Sequence, residues 1–134
     1  MMVVSTPLPF ANAEKVVILA LEDLGWTDID PPPEDVEKGI RVNRVGGTDD
    51  GITDYPRFEI SCFAPSYDEV NELSETVRDR MLALGGEVFV LDGRRVTIDF
   101  CRTDVPPESA PYENPDRIRK TAWYQAGLMR PRLA

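Results

Sequence analysis

Apolar residues recur along the chain at two different spacings, and the change from one to the other marks out its elements. In the first stretch Ala13, Val16, Val17, Ala20 and Leu24 form one stripe with Ile18 and Leu21 beside it, which predicts a helix over Asn12 to Leu24 closed by Gly25. Only Glu14, Lys15, Glu22 and Asp23 carry charge there, so the helix is apolar around most of its circumference and must be covered on more than one side. Its cover is either the sheet with the chain's own loops or a neighbouring subunit. A second helical stripe follows at Val70, Leu73, Val77, Met81 and Leu84. It opens at Ser66-Tyr67-Asp68-Glu69, a capping box in which the Ser hydroxyl and the Glu carboxylate each satisfy a free backbone donor. Acids crowd its first turns, Arg78 and Arg80 fall near its end as the helix dipole favours, and Gly85-Gly86 closes it. Its apolar stripe is core packing against a sheet.

Elsewhere the period is two. Ile40 to Val45 alternates as a strand, and Arg57 to Ala64 alternates again with Phe58, Ile60, Cys62 and Ala64 on one face, which suggests an antiparallel pair. Val88 to Leu91, the Asp92-Gly93 turn and the alternation of Val96, Ile98 and Phe100 with Thr97, Asp99 and Cys101 predict a hairpin. Arg119 to Met129 predicts a last strand that puts Trp123 and Tyr124 on opposite faces, so this strand is central or covered.

Three segments between these elements read as loops. Asp30 to Asp35 contains three successive prolines and acts as a stiff connection; without a PxxP frame it is weak as a ligand for Pro-recognising domains. Gly46 to Pro56 holds three glycines and three aspartates, too long and flexible for a tight hairpin turn, so it is expected to project from the sheet. Asp104 to Asp116, with four prolines, is expected to be a long loop. The fold class that results is α+β: a mainly antiparallel sheet of four to five strands flanked by two α-helices, with a projecting loop, in a single domain over residues 1–134.

Composition narrows the function more than it narrows the fold. With 24 acidic against 15 basic side chains, the net charge of -9 opposes a surface that grips nucleic-acid phosphates. An acidic surface can still sit beside DNA that has to slide past it. The longest apolar run, Val16 to Leu21, is too short to span a bilayer, and Met1 to Pro9 lacks the pattern of a signal peptide. No membrane association and a cytoplasmic start are therefore expected. The chain has no histidine, which removes the commonest general base and metal ligand and with them the Ser-His type of hydrolytic site. Gly46, Gly47 and Gly51 do not make a phosphate-cradling loop, because no GK[ST] follows and the aspartates repel phosphate. Asp49, Asp50 and Asp54 lack the EF-hand spacing, so a solvated acidic loop is favoured over a cation site. Cys62 and Cys101 lie in strands without CxxC spacing and read as buried thiols. No enzyme activity and no cofactor are expected.

The order of segments carries a resemblance: a helix near the start, a strand leading to Gly46-Gly47-Thr48-Asp49-Asp50-Gly51, then Asp54-Tyr55-Pro56-Arg57 entering a strand, a capped helix, and a last strand after Asn114-Pro115-Asp116. From Glu14 to Arg130 the chain resembles the tail terminator proteins of siphophages, while the Pro-rich segment and the Trp123-Tyr124 pair stand outside that pattern. The resemblance implies a structural protein of the virion tail or neck, assembled in the host cytoplasm. It implies a homo-hexameric ring that caps the tail tube, ends its polymerisation and forms the head-tail joining surface. Its partners would be its own copies, the major tail-tube protein and a head-completion or connector protein, with DNA passing through the bore without specific binding.

In physical terms, Ile18, Leu21, Trp123 and Tyr124 are candidate subunit contacts, because a ring needs apolar patches for head-to-tail contacts. Asp49, Asp50, Asp54 and Arg57 are candidates for a partner-facing or bore-facing loop, where negative charge would keep DNA from sticking; the alternative is a solvated outer loop. Arg130 and Arg132 make the C-terminal tail basic and suited to an acidic partner, or simply soluble. A head-closure or connector adaptor of the phage neck shares all these features. A small regulatory domain holding a metabolite between helix and sheet is the remaining alternative.

Overall fold

The computed structural model describes residues 8–112 and 114–133; most of the Met1 to Pro9 segment lies outside that range. Helix α1 spans Ala13–Leu21 and starts where Asn12 accepts a hydrogen bond from the Lys15 amide at 3.2 Å. Its last stretch tightens into a 3-10 turn, Glu22–Leu24, before Gly25. Helix α2 spans Tyr67–Leu82. Its capping box is made differently from the expected reciprocal form. The Glu69 amide donates to Ser66 Oγ at 3.3 Å, but the Glu69 carboxylate accepts a hydrogen bond from the Ser66 hydroxyl at 2.9 Å rather than from a backbone donor.

The strands are β1 (Trp26–Asp28), β2 (Gly39–Asp49), β3 (Thr53–Ala64), β4 (Val88–Leu91), β5 (Arg94–Ala110), β6 (Ile118–Met129) and β7 (Arg132–Leu133). They form one sheet in the order β1-β2-β3-β6-β5-β4, with β7 also paired to β5. The fold is α+β with two helices, as the periodicity predicts, but the sheet is larger than four to five strands and it is mixed. β1 runs parallel to β2, while the other pairs are antiparallel. Strand β6 is central, between β3 and β5, which accounts for its apolar groups on both faces.

Two predicted loops are strands. Gly46 to Pro56 is not a flexible projection, because β2 and β3 continue to Asp49↔Asp54 and close through a tight turn, with the Asp50 amide on Thr53 O at 3.2 Å. A bulge between Arg44 and Gly47 absorbs the glycines. At Gly47, φ is +112° and a Cβ would meet Tyr55 O at 2.1 Å, so only glycine fits the close approach of the two strands. Most of Asp104 to Asp116 belongs to β5, which pairs with β6 as far as Ala110↔Arg119. Pro106 and Pro107 sit in the register shift between Val105 and Glu108, where a strand tolerates residues without an N–H.

Both helices lie on one face of the sheet. Val16, Val17 and Leu21 of α1 and Val70, Val77 and Met81 of α2 share a core with Ile40, Val42, Phe58, Ile60, Ile98 and Tyr124. Burial of such side chains contributes about 25 cal/mol per Å² of apolar surface, which makes this layer the main source of stability. The Pro-rich connection is tied down from the far side of the sequence. Buried Arg117 donates to Pro32 O at 2.7 Å and also to the carbonyls of Pro33 and Val36.

Candidate functional site

The acidic hairpin tip is ordered by its own carboxylates. Asp49 Oδ1 accepts from the Gly51 amide at 2.9 Å. Asp50 Oδ1 accepts from the Ile52 and Thr53 amides at 2.9 and 2.7 Å, and Tyr55 donates its hydroxyl to Oδ2 at 3.3 Å. Those amide hydrogen bonds hold the Asp50 carboxyl below its ordinary value. Asp54 differs from its neighbours. It is buried under a fork from Arg44, whose Nη1 and Nη2 donate at 2.6 and 2.7 Å, and that hydrogen-bonded pairing holds the guanidinium above its usual range. Asp54 therefore offers no charge to a bore, whereas Asp49 and Asp50 remain exposed. From the other side Arg130 donates to Gly51 O at 2.9 Å and to Leu8 O at 2.8 Å, and its guanidinium lies 4.1 Å from the centre of the Phe10 ring. Among the described residues no three Cys, Asp or Glu side chains converge to hold a metal ion.

The four candidate subunit contacts divide by layer. Leu21 and Tyr124 lie wholly within the chain's own core and have no surface to offer a second copy. Ile18 is half-buried against the core and Trp123 half-buried on the opposite face of the sheet. Burial raises the Tyr124 phenol above its ordinary value, and its hydroxyl has no hydrogen-bond partner. Cys62 is buried and Cys101 half-buried, and burial pushes both thiols up to about 12. Side chains fill the space between α2 and the sheet at Ile60, Cys62, Ser74, Val77 and Tyr124, leaving no room for a water molecule, so no metabolite pocket exists there.

Among the described residues no helix covers the other face of the sheet. Cross-strand partners share a face, so the register places Arg57, Gln125 and Arg102 in one row and Glu59, Trp123 and Val105 in the next. Arg57 Nε donates to Asp104 at 2.7 Å and its guanidinium stands 6.0 Å over Trp123. Arg102 donates to Gln125 Oε1 and stands 5.9 Å over Phe100, which in turn lies 6.2 Å from the Tyr55 ring. Arg119 bridges Glu59 and Ser61 at 3.1 Å each, and Ser61 exchanges a 2.9 Å hydrogen bond with Thr121. Phe63 is closed over by Tyr112, edge to face at 4.9 Å. Arginines and aromatics thus cover the face, the residue types that dominate buried centres of protein interfaces. Of these residues the sequence singled out only Arg57 and Trp123. Phe100 was expected to share a face with Val96 and Ile98, but the register shift between Ile98 and Phe100 turns it onto this one and puts Cys101 beside Ala126 on the helix side, while Tyr55 and Tyr112 fell in segments read as loops.

The fold is a small two-layer α+β sandwich, with two helices on one sheet face and arginine and aromatic groups on the other. Residues 3–134 match the phage tail termination protein family, and the chain belongs to that family. It is a structural component of the phage virion tail. Its fold is similar to that of a chain from the virion of a native gene transfer agent (GTA) particle, with a TM-score of 0.54 at 17% sequence identity over 87% of each chain. No protein of curated function matches the sequence.

Proposed function

We propose that this protein ends tail-tube growth by forming a ring, six-membered, on the last ring of tube subunits, and that the ring then receives the head-completion or connector protein. The observation that carries the proposal is the concentration of Trp123, Arg57, Arg102 and Phe100 on the open sheet face, the residue types that dominate protein interfaces. The mechanism is steric: a closed ring seated on the tube end occupies the surface that the next tube subunit would need. DNA passes the ring without specific binding, as suits a chain of net charge -9, and Asp49 and Asp50 at the hairpin tip are the residues proposed to face the bore. Replacing both with Asn and finding DNA ejection unchanged would remove them from that role.

The experiment is electron microscopy of lysates from phage in which this gene is interrupted. Overlong tails of irregular length beside unattached DNA-filled heads are the expected result. Normal-length free tails with heads that leak DNA would move the protein to head closure, and intact particles would exclude both readings.

A further inference from the structure

The outward stripe of α2 is the counterpart of its buried one. Asp68, Glu72, Glu75, Asp79 and Leu82 follow one another at spacings of 4, 3, 4 and 3 residues, and all five are exposed. Like charges at these spacings repel and oppose the helix. Only Glu75 among the four acids has a cation near it among the described residues, Arg78 at 3.7 Å. Leu82 ends the stripe with an exposed apolar side chain.

Its chemical complement lies on the opposite layer. At one end of the open sheet face Arg95 is paired across the sheet with Val90 on one side and Arg132 on the other, and Val88 with Thr97. Val88, Arg95, Thr97, Met129, Arg130 and Arg132 line a groove of about 250 Å³. Arg95, Arg102 and Arg132 have no carboxylate within 4.0 Å among the described residues, in a chain whose acids outnumber its bases. Val88, Val90 and Leu133 beside them are exposed. The dimensions agree as well. Arg95 and Arg102 lie seven residues apart along β5, about 23 Å, and the helix from Asp68 to Leu82 is about 21 Å long.

We infer that the acidic stripe of α2 docks on the arginine-lined sheet face of a second copy of this chain, with Leu82 against Val88 and Val90. One chain cannot pair the two surfaces with itself, because they lie on opposite sides of the sandwich. Two copies can, and the contact is heterologous: one copy keeps its basic face unused and the other its acidic stripe, so the pair can add further copies until a ring closes. The inference rests on the ring proposed above and names the surfaces that close it. Because the contact is charged, it also sets a rule for assembly, since added salt weakens it.

The test is a charge swap on the full chain, read by sedimentation velocity and native mass spectrometry at low and high salt, with and without purified tail tubes. One protein carries Arg95→Glu and Arg132→Glu, the other Glu72→Arg and Glu75→Arg; all four sites are on the surface, and a thermal melt checks folding. Each variant alone is expected to associate roughly a hundredfold more weakly than the wild type, from the loss expected when interfacial charge pairs are broken. An equimolar mixture is expected to regain association and to give closed rings in which the two proteins alternate. Rings formed by each variant alone, or a mixture no better than its components, would overturn the inferred contact while leaving the ring intact. A wild-type chain that closes no ring, either alone or on tubes, would overturn the ring and this contact together. Should the reversed variants fail to fold, Arg95→Gln with Arg132→Gln and Glu72→Gln with Glu75→Gln carry the same test, each expected to weaken association without the rescue.

Discussion

The two faces of the sheet are built from the same strands by opposite rules. On the helix side Phe58, Ile60, Ala122, Tyr124 and Leu128 are closed to solvent, and a hydroxyl such as that of Tyr124 is buried without a partner. On the other side the long polar groups of the central strands are engaged while still reachable: Arg57 by Asp104 and Trp123, Arg119 by Glu59 and Ser61, Arg102 by Gln125. The first face is specified by volume and the second by geometry of charge and ring. Of the two sheet faces, the helix-covered one should therefore carry stability and the open one recognition.

That division can be broken most forcefully in the core. Phe58→Ala removes a ring with no exposed surface and is expected to cost about 3–5 kcal/mol in denaturant unfolding. Next comes Arg117→Leu, which leaves the carbonyls of Pro32, Pro33 and Val36 without their donor; a loss of about 2–3 kcal/mol is expected, with the connection between β1 and β2 becoming sensitive to protease. Trp123→Ala on the open face should change monomer stability by less than about 1.5 kcal/mol while abolishing self-association, so a large stability loss with assembly intact would reverse the assignment of the two faces. The smallest effect is expected for Tyr124→Phe. Deleting the unpartnered hydroxyl should leave stability unchanged or raise it by up to about 1 kcal/mol, measured by thermal unfolding.

The buried thiols sharpen the same contrast through pH. Their folded values of about 12 lie above the ordinary 9.0, so their contribution to stability is complete below about pH 9 and is lost as pH rises toward 12, when the unfolded chain ionises first. At pH 8 neither thiol should react with an alkylating reagent at the rate of a free cysteine. Rapid modification of Cys62 in the native protein would contradict the packing around Ser74 and Tyr124.

Both helices, the stretches of β2, β3, β4 and β6 with alternating burial, and the Asp92-Gly93 hairpin were legible in the sequence, because local periodicity records which side of an element is buried. The strands within Gly46 to Pro56 and Asp104 to Asp116 were not. Glycine, aspartate and proline weaken strand propensity there, and pairing between β2 and β3 in the first segment and with β6 in the second overrides it. The parallel β1 was equally hidden, since three residues carry no period and its partner is fixed only after the loop held by Arg117 folds back. Among the candidate site residues the sequence indicated type without depth. Leu21 and Tyr124 were apolar enough to make contacts, but only the packed structure decided that those contacts lie within the chain, and that Asp54 belongs to Arg44. The sequence by itself determined both helices and the alternating strands, the acidic balance and the lack of histidine, all properties of residues and their near neighbours. Which arginines share a face, and that the face stays open, depended on strand register, which long-range pairing sets and no local pattern records.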